Sequence, residues 1–125
     1  MTTTTILSRA AAVVGITASF LLAATQASAH AKLLSTTPKA DSTISSPKLI
    51  QVHFDEAIEV KLSSLKLTMS DGAAVSVMGM NDAKDPSTLS IMPNATLKAG
   101  VYTVAWSIVS DDGHKETGTF KFTVK

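Results

Sequence analysis

The clearest pattern in the chain is strict alternation of apolar and polar positions. Between Val101 and Val109, Tyr102, Val104, Trp106 and Ile108 fall on one side, with Thr103, Ala105 and Ser107 on the other. A period of two describes a half-buried β-strand. The same period recurs at the end of the chain, where Phe120, Phe122 and Val124 alternate with Thr119, Lys121 and Thr123, predicting a strand over 117–125. Ile50, Val52 and Phe54 alternate with Gln51 and His53, and Leu65, Leu67 and Met69 with Ser64, Lys66 and Thr68. Shorter apolar pieces predict strands at 31–35, 73–78 and 89–91. Turn chemistry separates them: Thr36 to Ser42 with Pro38 and Asp41, then Pro47, the polar loop Gly79 to Pro86, and Pro93 to Gly100. Asp71-Gly72 is a hairpin signal that joins the strand ending at Met69 to a return strand at 73–78. No stretch after residue 29 has amphipathic helical spacing. Seven short strands with Gly, Pro and Asp turns predict an all-β fold, a seven-stranded antiparallel Greek-key β-sandwich with Trp106 in its core. The cysteine pair of antibody domains is absent, so any immunoglobulin likeness is architectural.

The first 29 residues read differently. Arg9 supplies a positive start, and Ala10 to Ala24 form a short apolar run containing Val13, Val14, Ile16, Phe20, Leu21 and Leu22. Ala27-Ser28-Ala29 ends the segment with the small-residue pattern of a signal-peptidase site. The run is short of the ~20 residues that span a bilayer. The expectation is a helical signal peptide over 1–29, cleaved after Ala29, and one exported domain over 30–125. The expectation for the mature protein is therefore an exported, soluble monomer.

Composition narrows the chemistry. Arg9 is the only charged side chain before residue 30, and the remainder carries lysines and acids in equal number, so nothing points to nucleic acid or an anionic membrane surface. There is no cysteine, which excludes disulfides, thiolate metal sites, thiol nucleophiles and lipid attachment to an N-terminal Cys. No phosphate loop, zinc motif or Ser-His-Asp nucleophile set is present.

Three histidines follow the expected cleavage site: His30, His53 and His114. Cleavage after Ala29 makes His30 the first residue. Its α-amine and imidazole Nδ1 can then hold one metal ion in a six-membered chelate ring, which an internal histidine cannot do because its nitrogen is an amide. Asp112 and His114 lie two apart in a loop between the two clearest strands, and such a turn can aim a carboxylate and an imidazole at one spot. Together these groups offer three nitrogens and one oxygen, the tetragonal N,O set that copper(II) prefers. His53 alternates outward between Val52 and Phe54 and reads as a surface or structural histidine.

The mature chain resembles the CopC family of periplasmic copper-binding proteins. The matching features are His30-Ala31-Lys32-Leu33, Ser35-Thr36-Thr37-Pro38, Val52-His53-Phe54-Asp55-Glu56, Ala99 to Trp106, Val109 to His114, and Gly118 to Phe122. The resemblance implies a seven-stranded sandwich and a copper(II) site near the N-terminus, with His30, Asp112 and His114 as ligands. Glu56 stands where some members offer a further carboxylate; an exposed acid in an acidic loop is the plainer reading. Some members also carry a methionine-rich loop for copper(I). Met78-Gly79-Met80 is suggestive here, since thioethers suit copper(I), but Met69 is in phase with Leu65 and Leu67 as core and this loop holds no histidine. The family resemblance also implies copper tolerance or delivery, beside an inner-membrane partner of the CopD type. Two other classes compete. An N-terminal histidine chelate also serves copper-dependent oxidative enzymes, which need an open coordination position and a substrate surface. A plain sandwich could serve adhesion or assembly.

Overall fold

The structure, a computed structural model, describes residues 31–80 and 85–125. The expected signal peptide and His30 lie outside the described residues. The alternating segments form strands as predicted, paired into two four-stranded sheets. The strands are β1 (Leu33–Thr37), β2 (Thr43–Ile44), β3 (Ile50–Phe54), β4 (Ser64–Met69), β5 (Val77–Met80), β6 (Thr88–Pro93), β7 (Gly100–Val109) and β8 (Lys115–Val124), with one turn of 3-10 helix at Val60–Leu62. The first sheet has the order β1-β3-β6-β5 and the second the order β2-β8-β7-β4.

The strand count corrects the expected seven to eight. The additional strand, β2, has two residues, Thr43 and Ile44, which pair in parallel with Thr123 and Val124 at the edge of the second sheet. Two residues carry no periodicity, so this strand exists only through its partner. The β1 strand is also displaced from the expected 31–35: Thr36 and Thr37, read as turn, pair with Val52 and Gln51.

The Asp71-Gly72 turn behaves in an instructive way. Its hairpin starts as expected, with the Gly72 N–H bonded to the Met69 carbonyl and bridge pairing of Thr68 with Ala74. Gly72 sits at φ +86°, the left-handed region that favours glycine. After Val75 the chain leaves β4, and β5 joins the opposite sheet beside β6. The return strand therefore begins at Val77 and belongs to the other layer.

The apolar faces of both sheets meet in one core. Ile50, Val52, Phe54, Leu89 and Ile91 come from the first sheet; Leu65, Leu67, Tyr102, Val104, Ile108, Phe120, Phe122 and Val124 come from the second. Each large aliphatic or phenyl side chain so buried contributes roughly 1.5–3 kcal/mol relative to exposure. Phe54 meets Trp106 edge to face across the layers, with ring centroids 5.2 Å apart, and Tyr102 stacks on Phe122 at 5.6 Å. Trp106 is half-buried and packs against the core rather than lying inside it. Its ring lies over Gly118, its cross-strand partner, where a Cβ would overlap the indole carbons.

Candidate metal centre

The β7–β8 connection is a tight turn whose backbone closes on itself. The Gly113 N–H donates to the Ser110 carbonyl at 2.8 Å, and the Ser110 N–H to the His114 carbonyl at 2.9 Å. Gly113 takes φ +86°, the conformation that lets the chain reverse here. This turn brings Asp112 and His114 together: the imidazole Nδ1 lies 3.0 Å from Asp112 Oδ2. The Ser110 hydroxyl and the His114 N–H both donate to Asp112 Oδ1. The Ser110 bond, followed by those from His114, pushes the Asp112 carboxyl down to about 2, so it is an anion throughout the neutral and mildly acidic range. Ser110, 1% exposed, is the residue that sequence reasoning missed. The signal was its place two before Asp112, where a hydroxyl can reach the carboxylate.

A second strip of chain runs beside this turn. Ile58 bridges to Ser110, the Asp111 N–H donates to the Ala57 carbonyl at 3.2 Å, and the Glu59 N–H to the Val109 carbonyl at 2.7 Å. Glu56 stands on this strip. Its Oε1 is buried and has no hydrogen-bond partner among the described residues. Burial, and then the charges of Asp112, Asp55, Glu116 and Asp111, raise its pKa above the usual carboxylate value. A buried, unpartnered carboxylate oxygen facing other acids is a costly arrangement that a bound cation would relieve.

The start of the described chain is tied to the same place. The Lys32 N–H donates to Asp55 Oδ1 at 2.7 Å, the Asp55 N–H to the Lys32 carbonyl at 2.9 Å, and Ala31 is 4% exposed in the core. The chain thus enters the sandwich beside the residue next to Glu56.

The remaining candidates lie elsewhere. His53 points outward from β3 and bonds Thr88, apart from the Asp112–His114 pair. Met78 and Met80 stand on β5, exposed at 57% and 42%, with Met78 opposite Met92 and Met80 opposite Ser90. Among the described residues no three His, Asp or Glu side chains already form a cluster that could hold an ion.

The profile of the CopC domain matches residues 33–125. The chain belongs to the CopC family. Copper resistance protein C of Escherichia coli is 40% identical over 106 residues, 79% of this chain and 84% of that protein. Its counterpart in Pseudomonas syringae pv. tomato is 39% identical over 111 residues, 84% and 88% of the two. Among solved structures, PcoC, a methionine-rich copper resistance protein from Escherichia coli, superposes with a TM-score of 0.71 at 41% identity, covering 78% of this chain and all of that one. CopC from Methylosinus trichosporium OB3b superposes at 0.72 with 31% identity, covering 77% and 94%. This is the CopC fold, and the family is one of binding proteins rather than enzymes.

Proposed function

We propose that this CopC-family chain is a periplasmic copper(II)-binding protein, serving copper resistance or delivery, with the ion as its cargo. Export would remove residues 1–29 and free the α-amine of His30. The mature protein would act as a soluble monomer, and a CopD-type inner-membrane protein is the natural recipient or donor. The donors would be the His30 amine and Nδ1, His114 and Asp112, with Glu56 as a further carboxylate. The observation that carries this reading is the locked Asp112–His114 pair beside the unpartnered oxygen of Glu56, at the end of the sandwich to which Lys32 is tied. Three nitrogens and carboxylate oxygen suit copper(II), which tops the divalent affinity order. Copper(I) has weaker support: the register puts Met78, Met80 and Met92 on one outer face, and thioethers suit that oxidation state.

Loading the signal-processed protein with copper(II) tests the reading directly. The EPR spectrum should report a tetragonal site with three nitrogens. His114→Ala should lower copper(II) affinity by more than the roughly 10–100-fold typical of outer-shell changes, and by more than His53→Ala. Met78→Leu with Met80→Leu should leave copper(II) affinity unchanged while weakening copper(I) retention. Equal losses from the two histidine variants would remove His114 from the ligand set.

The pH dependence separates the donors. Asp112 has a depressed pKa of about 2, so the folded protein keeps this charge until pH falls through that low figure, and the stability it contributes is present above the unfolded value and lost on that descent. Ligand imidazoles must be neutral, with a reference value near ~6.5. Copper(II) affinity should therefore decline below about pH 6, from protonation of histidine rather than of Asp112. A profile that stays level down to about pH 4.5, well below the histidine reference, would contradict histidine ligation.

A further inference from the structure

On the outer face of the first sheet, His53, Asp85, Ser87 and Thr88 form a polar network away from the Asp112–His114 pair. The Ser87 hydroxyl donates to Asp85 Oδ1 at 2.6 Å, and the Thr88 hydroxyl to Asp85 Oδ2 at 2.6 Å. The Ser87 N–H adds a third bond to Oδ1 at 3.1 Å. The two hydroxyl bonds hold the Asp85 carboxyl below the usual carboxylate range. Each hydroxyl has committed its only hydrogen to Asp85. Towards His53 both oxygens can therefore only accept, and the imidazole Nδ1–H donates to Thr88 Oγ1 at 2.9 Å and Ser87 Oγ at 3.3 Å. The turn 85–88 is thus internally braced and fastened to β3.

The backbone of this turn grips the strip that carries Glu56. The Phe54 N–H donates to the Ser87 carbonyl at 2.9 Å, and the Ile58 N–H to the Pro86 carbonyl at 2.9 Å. Two consecutive carbonyls of the turn thereby hold both ends of the stretch 54–58, and Glu56 is its midpoint. On the other side, the Ala57 carbonyl accepts from Asp111 and Ile58 bridges to Ser110. The Glu56 backbone is strung between the braced turn and the loop of Asp112 and His114. Without the turn, the stretch keeps its ties to Lys32 and to the β7–β8 loop but loses the two bonds from Pro86 and Ser87 that hold its ends.

We propose that Asp85 and His53 are positioning residues for the copper centre: they clamp the stretch 54–58 so that the Glu56 carboxylate is aimed at the Asp112–His114 pair. This rests on the reading of Glu56 as a copper(II) donor. Neither residue touches the ion. Their effect passes through Glu56 and disappears when Glu56 cannot ligate.

The test is a double-mutant cycle on the signal-processed protein, read by competition for copper(II) against a chelator. Asp85→Ala should lower affinity about 10-fold or more, the scale of outer-shell partners. In a Glu56→Gln background the same change should have no further effect. The EPR parameters of copper-loaded Asp85→Ala should move in the direction produced by Glu56→Gln. If Asp85→Ala fails to fold, Thr88→Val removes one hydroxyl of the relay at constant shape and should show the same coupling. Equal losses in both backgrounds, or no loss in a folded variant, would overturn the clamp while leaving Glu56 as a ligand. No effect of Glu56→Gln itself would overturn both.

Discussion

Adding one residue before His30 in the processed chain is expected to lower copper(II) affinity by orders of magnitude while the fold stays intact. The extension turns the α-amine into an amide, which is not a basic ligand at neutral pH. The imidazole remains, but the chelate ring is lost. Two donors on one residue bind as an intramolecular pair, and a tethered second contact raises overall affinity by about 10²–10⁴. The stability of the sandwich does not depend on that amine. Ala31 is already buried, Lys32 is bonded to Asp55, and the core residues begin there. Competing the processed and the Met-extended forms for copper(II) against one chelator gives the answer, with thermal unfolding as the control on fold. Matching affinities would show that the amine is not a ligand.

The second large effect concerns the core. Gly118→Val is expected to destabilise the domain by about 1–3 kcal/mol, the usual range for forced overpacking. Gly118 faces Trp106 in the β7–β8 register, and any Cβ there would meet the indole carbons. The ring cannot simply withdraw, because its other side is fixed edge-on against Phe54 of the facing sheet. Pushing the indole away would open the contact between the layers close to where the Glu56 strip leaves β3. Gly79→Ala is the matched comparison: nothing lies within 4 Å of its Cβ position, so its change should stay within about 0.5 kcal/mol. Thermal unfolding of both proteins decides this. An unchanged midpoint for Gly118→Val would mean that Trp106 has room the packing does not show.

What the sequence determined by itself is the identity and facing of the long strands. Alternation is a local property: successive side chains of a strand point to opposite faces, so Tyr102, Val104 and Ile108, or Phe120 and Phe122, declare the buried side wherever the strand lies. The pairing of Asp112 with His114 was legible for a similar reason, since two residues across a Gly-containing turn are held together by local geometry. Only the tertiary structure decided the rest. Whether the chain after Gly72 stays with β4 or crosses to β6 depends on which sheet edge is open, and no periodicity records that. Thr43 and Ile44 become a strand through partners eighty positions away. Glu56 looked like a solvated acid because burial is not a property of its neighbours in sequence. Its oxygen, unpartnered among the described residues, arises where the chain after β3 runs past the β7–β8 turn, and the backbone on either side of it is held by carbonyls of Pro86 and Ser87 some thirty residues further along the chain.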